Sequence, residues 1–210
     1  MEDRKLRPIA IINYEMGNLL SVQKALAKLG YPAEITQDPE VIVKAPGVIL
    51  PGVGAFSDAM AIIKQKSLVE AIKEVARLDK PFLGICLGMQ LLFSNSSEGG
   101  KTTEGLNLIS GTVKRLPAGL KVPHMGWNQV KIRRSGGLFK GIPDGTDFYF
   151  VHSYYVESQD ESVITGETEY GLNFTVSVQQ GNLFGVQFHP EKSSSWGLKV
   201  LKNFGELVSK

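Results

Sequence analysis

The chain has 210 residues, 42% of them hydrophobic, which is enough for one substantial α/β domain and short for two. A formal net charge of +2 gives no strong field, and the longest basic cluster, Lys131-Ile-Arg-Arg134, reads as a strand end entering a polar turn, so nucleic acid is not an expected partner. A single cysteine excludes an internal disulfide and a thiolate-rich metal site; it fits a reducing compartment, the cytosol, and no metal or cofactor is expected.

The start, Met1-Glu-Asp-Arg-Lys-Leu-Arg-Pro8, carries charges of both signs. The apolar run behind it, Ile9 to Ile12, is too short for a signal-peptide core or a membrane span, so neither secretion nor membrane insertion is expected. Pro8 to Ile12 reads as a first strand, followed by a polar, glycine-containing turn from Asn13 to Asn18. Leu19 to Leu29 is helical, because Leu19, Val22, Leu26 and Leu29 recur at spacings of three and four, and Gly30 and Pro32 supply a stop. Ala33 to Thr36 and Val48 to Leu50 are short strands. The second runs into Pro51-Gly-Val-Gly54, a loop whose glycines let backbone amides approach a ligand closely. Phe56, Met60 and Ile63 lie on one helical stripe, and Leu68, Ile72 and Val75 on another.

Pro81 to Ile85 is an apolar run of the kind that forms a buried strand, and Leu87 to Phe93 has the composition of a helix. Cys86 sits between them, flanked by Gly84 and Gly88 as G-x-C-x-G, which is the nucleophile-elbow pattern with sulfur in place of oxygen. In such an elbow the sulfur lies at a helix N-terminus, where the helix dipole and free amides stabilise thiolate, and the amide of Leu87 points at a developing oxyanion. Gln90 is four residues on and shares that helix face. The competing reading of a lone cysteine in an apolar stretch is a buried packing residue. Alternating strands and helices imply a parallel sheet covered on both faces. The loops at Asn13–Asn18, Pro51–Gly54 and Cys86 then share the carboxyl edge of the sheet and frame one cleft.

Beyond residue 95 the texture changes. Ser94 to Gly100 is a loop, and the segments after it are short, β-rich and separated by turns. Candidate strands are Thr112–Leu116, Gln129–Ile132, Asp147–Val151, Ser162–Gly166, Thr175–Gln179 and Leu183–Gln187, extending the sheet. From Ser195 onward Leu198, Leu201, Phe204 and Leu207 mark a closing helix with serine caps ahead of it. The whole is a single domain, 1–210.

A cysteine nucleophile needs a base, and the chain has three histidines, His124, His152 and His189, each of which also has a purely structural reading. His189 closes an apolar strand and is followed by Pro190 and Glu191. Proline holds its predecessor extended, so His189 and Glu191 project to the same side and Glu191 orients the imidazole, unless it is an ordinary solvated charge. Cys86, His189 and Glu191 then form a set of nucleophile, base and orienter.

Gly84-Ile-Cys-Leu-Gly-Met-Gln90, Pro51-Gly-Val-Gly54 and His189-Pro-Glu191, in that order, resemble the class I glutamine amidotransferases, the triad-type glutaminases that release ammonia. Within that family, Pro123-His-Met-Gly-Trp-Asn128 and His189-Pro-Glu-Lys-Ser193 resemble the branch that serves imidazole glycerol phosphate synthase in histidine biosynthesis. The resemblance implies a flavodoxin-like fold: an open, mostly parallel, doubly wound sheet with an antiparallel β-rich extension from the C-terminal half. It implies that Cys86 attacks the side-chain amide of L-glutamine and that His189 moves protons while Glu191 holds it. The oxyanion donors would be the amides of Leu87 and of Gly52 or Val53. Gln90, Gly54 and the backbone around His152, Ser153 and Tyr154 would bind the substrate, and His152 need not titrate. Lys192, Trp127, Asn13 and Asn18 would face a (β/α)-barrel cyclase that consumes the ammonia. Weighed against this are a glutaminase serving a guanylate or anthranilate synthase and a non-catalytic scaffold. One departure stands out: many family members have Asp-Tyr-Gly where this chain has Asn13-Tyr-Glu15, and Glu15 is expected to resist the positive φ that glycine accepts.

Overall fold

A computed structural model describes residues 7–210; the charged start up to Leu6 lies outside the described residues. The chain opens with β1 (Ile9–Ile12), α1 (Leu19–Lys28), β2 (Ala33–Thr36), α2 (Pro39–Lys44), β3 (Val48–Gly52), α3 (Phe56–Gln65), α4 (Val69–Arg77) and β4 (Phe82–Cys86). Every residue of β1, β3 and β4 is buried, as unbroken apolar strands must be when helices cover both faces of a sheet. Alternate side chains go to opposite faces. Ala10, Ile12 and Leu50 join one core with Met60 and Ile72, and Ile9, Ile11 and Leu83 join the other with Leu26 and Phe204.

Next come α5 (Leu87–Leu91), β5 (Phe93–Ser96), β6 (Thr103–Glu104), β7 (Ile109–Arg115), β8 (His124–Ile132), β9 (Thr146–His152), β10 (Tyr154–Ser158), β11 (Ile164–Glu169), β12 (Asn173–Gln180), β13 (Leu183–Val186) and α6 (Ser194–Val208). The strand order is β2-β1-β3-β4-β13-β12-β10-β7-β5-β6, with β11, β8 and β9 branching from β12. β13 returns to pair parallel with β4, Leu183 beside Phe82 and Val186 beside Ile85. The parallel block therefore reads β2-β1-β3-β4-β13, the flavodoxin-like order. The antiparallel extension is large enough to make the whole sheet mixed. No described helix is long and apolar enough to cross a membrane.

Several boundaries differ from the sequence expectation. The helix after Cys86 ends at Leu91, and Phe93, expected inside it, starts a strand beside Ile109. The carbonyls of Leu91 and Leu92 accept the amides of Leu106, Leu108 and Ile109, so tertiary pairing overrides local propensity. Part of the expected loop Ser94–Gly100 is thus strand. Pro51 and Gly52 lie inside β3 and not in a loop. Ser162 sits in a short 3₁₀ turn ahead of β11. α2 and β10 were not expected at all. α2 nevertheless carries a start signal, since Asp38 accepts the amide of Glu40 and Pro39 takes the first helical position. Arg133, in the basic cluster, is neutralised by Glu161 and Glu167.

Candidate active site

Cys86 ends β4 and opens α5 with φ 55° and ψ −111°, a conformation L-residues rarely adopt and one that costs of order 1–3 kcal/mol. The strain falls on the cysteine and not on its glycines, neither of which has a positive φ. Gly84 and Gly88 are needed for close packing. A Cβ on Gly88 would lie 1.7 Å from the Leu50 carbonyl oxygen, and one on Gly84 would lie 2.7 Å from the Gly88 carbonyl oxygen. Helix α5 has only five residues, too short for a macrodipole to build up, so the expected dipole stabilisation of the sulfur is weak.

β3 sets Gly52 in register with Cys86, which puts the expected oxyanion segment beside the elbow. Gly52 and Leu87 are buried, whereas Val53 and Gly54 are exposed. A Cβ on Gly52 would meet the Tyr14 hydroxyl at 2.1 Å, and one on Gly17 would lie 3.6 Å from Gly52 Cα. The β1–α1 loop, the end of β3 and the elbow therefore share one edge, as the parallel topology requires. Glu15 adopts φ 70° after all. Its amide donates to Asn13 Oδ1 at 3.0 Å, and its carboxylate pairs with Lys66 at 2.7 Å, which together hold a non-glycine residue in the left-handed region.

The expected base, His189, arrives from the other end of the chain. Beyond β13 the chain bends at Gln187 and Phe188, and Phe188 joins a ring cluster, 4.1 Å from Phe148 between centroids, while the Gln187 amide reaches Cys86 Sγ at 3.5 Å. His189 Nδ1 donates to Glu191 Oε1 at 3.0 Å across the 3₁₀ turn Pro190–Lys192. That turn is clamped to β9: His189 N donates to Tyr149 O at 2.9 Å, while Ser193 Oγ donates to His189 O at 2.7 Å and accepts from Tyr149 N at 2.9 Å. Ser193 was expected to cap α6 but makes no capping bond, because its hydroxyl is spent on this clamp. Burial pushes the His189 pKa down, and the adjacent Cys86 and Glu191 more than offset it, raising it to about 9.

A cavity of about 290 Å³ has Cys86, Leu87, Gln90, Val53, Gly54 and Glu98 in its wall, together with Pro123 and the stretch 151–154. Gln90 Nε2 donates to Tyr154 O at 3.0 Å and to Gln187 Oε1 at 2.9 Å, so only its Oε1 is left for a ligand. Tyr154 O also accepts from His152 Nδ1 at 2.8 Å. His152 Nε2 must then accept, so His124 Nδ1 donates to it at 2.9 Å, and His124 Nε2 accepts from Asn128 Nδ2 at 3.3 Å. Burial lowers the pKa of His124, and that of His152 to about 3, so both rings are neutral and their tautomers are set by this one-way chain.

Of the buried side-chain nitrogen and oxygen atoms without a partner among the described residues, Tyr14 OH, His189 Nε2 and Glu191 Oε2 all belong to this edge of the sheet. Orphaned buried polar atoms are rare, and their concentration beside one sulfur marks the place where a ligand would be received. Trp127 and Lys192 meet on Tyr149: the Trp127 ring lies 6.0 Å away edge-on, and Lys192 Nζ lies 6.0 Å from the ring centroid. Asn13 is turned inward to its own loop, and Asn18 makes no capping bond to α1. Glu98, Gln187 and the His124 chain were not singled out from sequence. Gln187 had a signal, since it alternates with His189 along one strand; Glu98, in a polar loop, had none.

A profile described as Glutamine amidotransferase class-I matches residues 10–207. The chain belongs to that family. As a class-I glutamine amidotransferase, it is 71% identical to the imidazole glycerol phosphate synthase subunit HisH of Moorella thermoacetica, over 97% of this chain and 96% of that protein. It is 52% identical to the subunit of the same name from Desulfitobacterium hafniense, over 96% and 95% of the two chains. The amidotransferase fold recurs in a solved glutamine amidotransferase, with a TM-score of 0.73 at 18% identity over 96% and 99% of the chains. It recurs as well in the structure of PurLQS from Thermotoga maritima, with a TM-score of 0.73 at 19% identity over 94% and 97%.

Proposed function

We propose that this chain is the glutaminase subunit of an imidazole glycerol phosphate synthase, acting in the cytosol to supply ammonia for histidine biosynthesis, with Cys86, His189 and Glu191 as its catalytic residues. The observation that carries the catalytic reading is the delivery of His189, oriented by Glu191 at 3.0 Å, to the strained elbow of Cys86 by the pairing of β13 with β4. The relatives at 71% and 52% identity carry the assignment to this synthase.

The Cys86 thiolate attacks the side-chain amide carbon of glutamine, and the carbonyl electrons move onto oxygen, facing the amides of Leu87 and of Gly52 or Val53. When that oxyanion collapses, the C–N bond breaks and the nitrogen takes a proton from His189 Nε2, leaving as ammonia. His189 Nε2 then accepts a proton from water, whose oxygen attacks the thioester, and the C–S bond breaks to give glutamate and the thiolate. A pKa near 9 keeps His189 charged at neutral pH and ready to protonate the leaving group. Gln90 Oε1, Gly54 and the backbone from His152 to Tyr154 hold the amino-acid end of the substrate, and the Glu98 carboxylate suits its ammonium group.

The consumer of the ammonia is a (β/α)-barrel cyclase docked at the carboxyl edge of the sheet. Leu20, Val53, Met125, Trp127 and Trp196 are large apolar residues left exposed. Lys192, Asn13 and Asn18 belong to the same edge, where direct transfer spares the ammonia from protonation in solvent. Cys86→Ala should abolish glutamine hydrolysis while leaving synthesis from added ammonium intact in the complex with the cyclase. Retained hydrolysis, or loss of both activities in a folded variant, would overturn the assignment.

A further inference from the structure

Resting on the reading of Cys86 as nucleophile, we propose that Gln187 is a further catalytic residue, one that donates an N–H to the attacking sulfur and keeps it in the thiolate state. Gln187 Nε2 lies 3.5 Å from Cys86 Sγ, and the side chain is fully buried. The other hydrogen bond to this sulfur in the structure is a long one, to Val151 O at 3.9 Å, and there the sulfur is the donor. A thiolate cannot donate. Once the thiol ionises, the Val151 carbonyl opposes the charge, and the Gln187 amide adds a neutral donor to the support that the neighbouring His189 gives the sulfur.

The amide of Gln187 is held in this orientation. Its Oε1 accepts from Gln90 Nε2 at 2.9 Å, and Gln90 Nε2 is itself fixed by Tyr154 O at 3.0 Å. Turning the Gln187 amide over would set two NH₂ groups against each other and aim an oxygen at the sulfur. The backbone is anchored as well: Gln187 N donates to Val176 O at 2.8 Å, which ties the residue to β12 just past the end of β13. The sulfur thus receives its base and its hydrogen-bond donor from the short segment that follows β13. This role matters because α5 is too short to supply the dipole that longer helices offer a thiolate.

The chain holds one cysteine, so alkylation by iodoacetamide reports on Cys86 alone. Rates should be measured for the parent and for Gln187→Met at about pH 6 and about pH 10, the second being well above the usual thiol range, where any thiol is largely ionised. The variant should alkylate roughly tenfold more slowly at the lower pH and nearly normally at the higher one, as the loss of one charge-assisted hydrogen bond requires. An equal change at both pH values, or none, would overturn the proposal. Should Gln187→Met fail to fold, Gln187→Glu keeps the shape and replaces the donor by a carboxylate. It should show the same selective slowing, and its absence would count equally against the role. A parent Cys86 no more reactive than free cysteine at the lower pH would instead overturn the nucleophile reading, and this inference with it.

Discussion

Replacing Glu191 by Gln keeps the side-chain shape and an oxygen for His189 Nδ1, and removes only the charge. The Glu191 side chain is 1% exposed and its Oε2 has no partner, so solvent does little to screen it. His189 is raised from 6.5 to about 9 against the burial that pushes it down. A net rise of that size favours the imidazolium by about 3 kcal/mol. With the charge gone, Cys86 alone opposes burial, and the His189 pKa falls back toward its ordinary value. In the mechanism above the imidazolium protonates the departing nitrogen, so kcat/KM should fall on the alkaline side near pH 9 in the parent and at least about one unit lower in the variant. Stability moves with it. A raised folded pKa stabilises the parent fully below pH 6.5 and loses that contribution as pH rises through about 9. In the variant the contribution shrinks, and Tm values at the two ends of this range converge. Glutaminase rates across the range, measured in the complex, and Tm at each end are the assays. An alkaline limb that stays near pH 9 would refute the reasoning.

Tyr14→Phe removes a buried hydroxyl without a partner and leaves the ring in place, so it should stabilise the fold by about 1–3 kcal/mol. A lower midpoint in chemical denaturation would show that the hydroxyl is bonded. Gly88→Ala sets a Cβ 1.7 Å from a backbone oxygen of β3, where no side chain can yield, and should cost about 3 kcal/mol or more by the same assay. His124→Ala strips His152 Nε2 of its donor; it should destabilise by about 1–3 kcal/mol and raise KM for glutamine with little change in kcat, and unchanged KM would separate the His124 chain from substrate binding.

The parallel half of the fold was legible because its signals are local. Apolar runs that a covered sheet buries on both faces, such as Ile9–Ile12 and Phe82–Cys86, need no partner to be recognised. The antiparallel half was legible in outline only. Tyr154–Ser158 mixes exposed and buried residues and becomes a strand because Arg115 to Gly111 lies opposite, a pairing set by tertiary structure. At the site, chemistry that depends on spacing along the chain was readable, as with His189 and Glu191. Chemistry made by residues about a hundred positions apart was not: the spacing of Gln187 from His189 hints at a shared site, but its meeting with Cys86 and Gln90 is set by tertiary structure.

The three histidines show why residue type alone could not assign their roles. All are buried to a similar depth, with 3%, 6% and 2% exposure for His124, His152 and His189. Burial pushes each toward the neutral form. What separates them is the company of the second ring nitrogen. His152 gives its Nδ1 proton to a carbonyl and faces another neutral imidazole, so burial outweighs the one bond that favours its charged form and its pKa drops to about 3. His189 gives its Nδ1 proton to a carboxylate and has a sulfur as neighbour, and its pKa climbs to about 9. Two rings of the same chemistry are driven in opposite directions, one into a fixed neutral hydrogen-bond link and one toward the charged form that the proposed mechanism uses. The division follows from the partners of His189, the sulfur of Cys86 first and then the carboxylate of Glu191, neither of which His152 has.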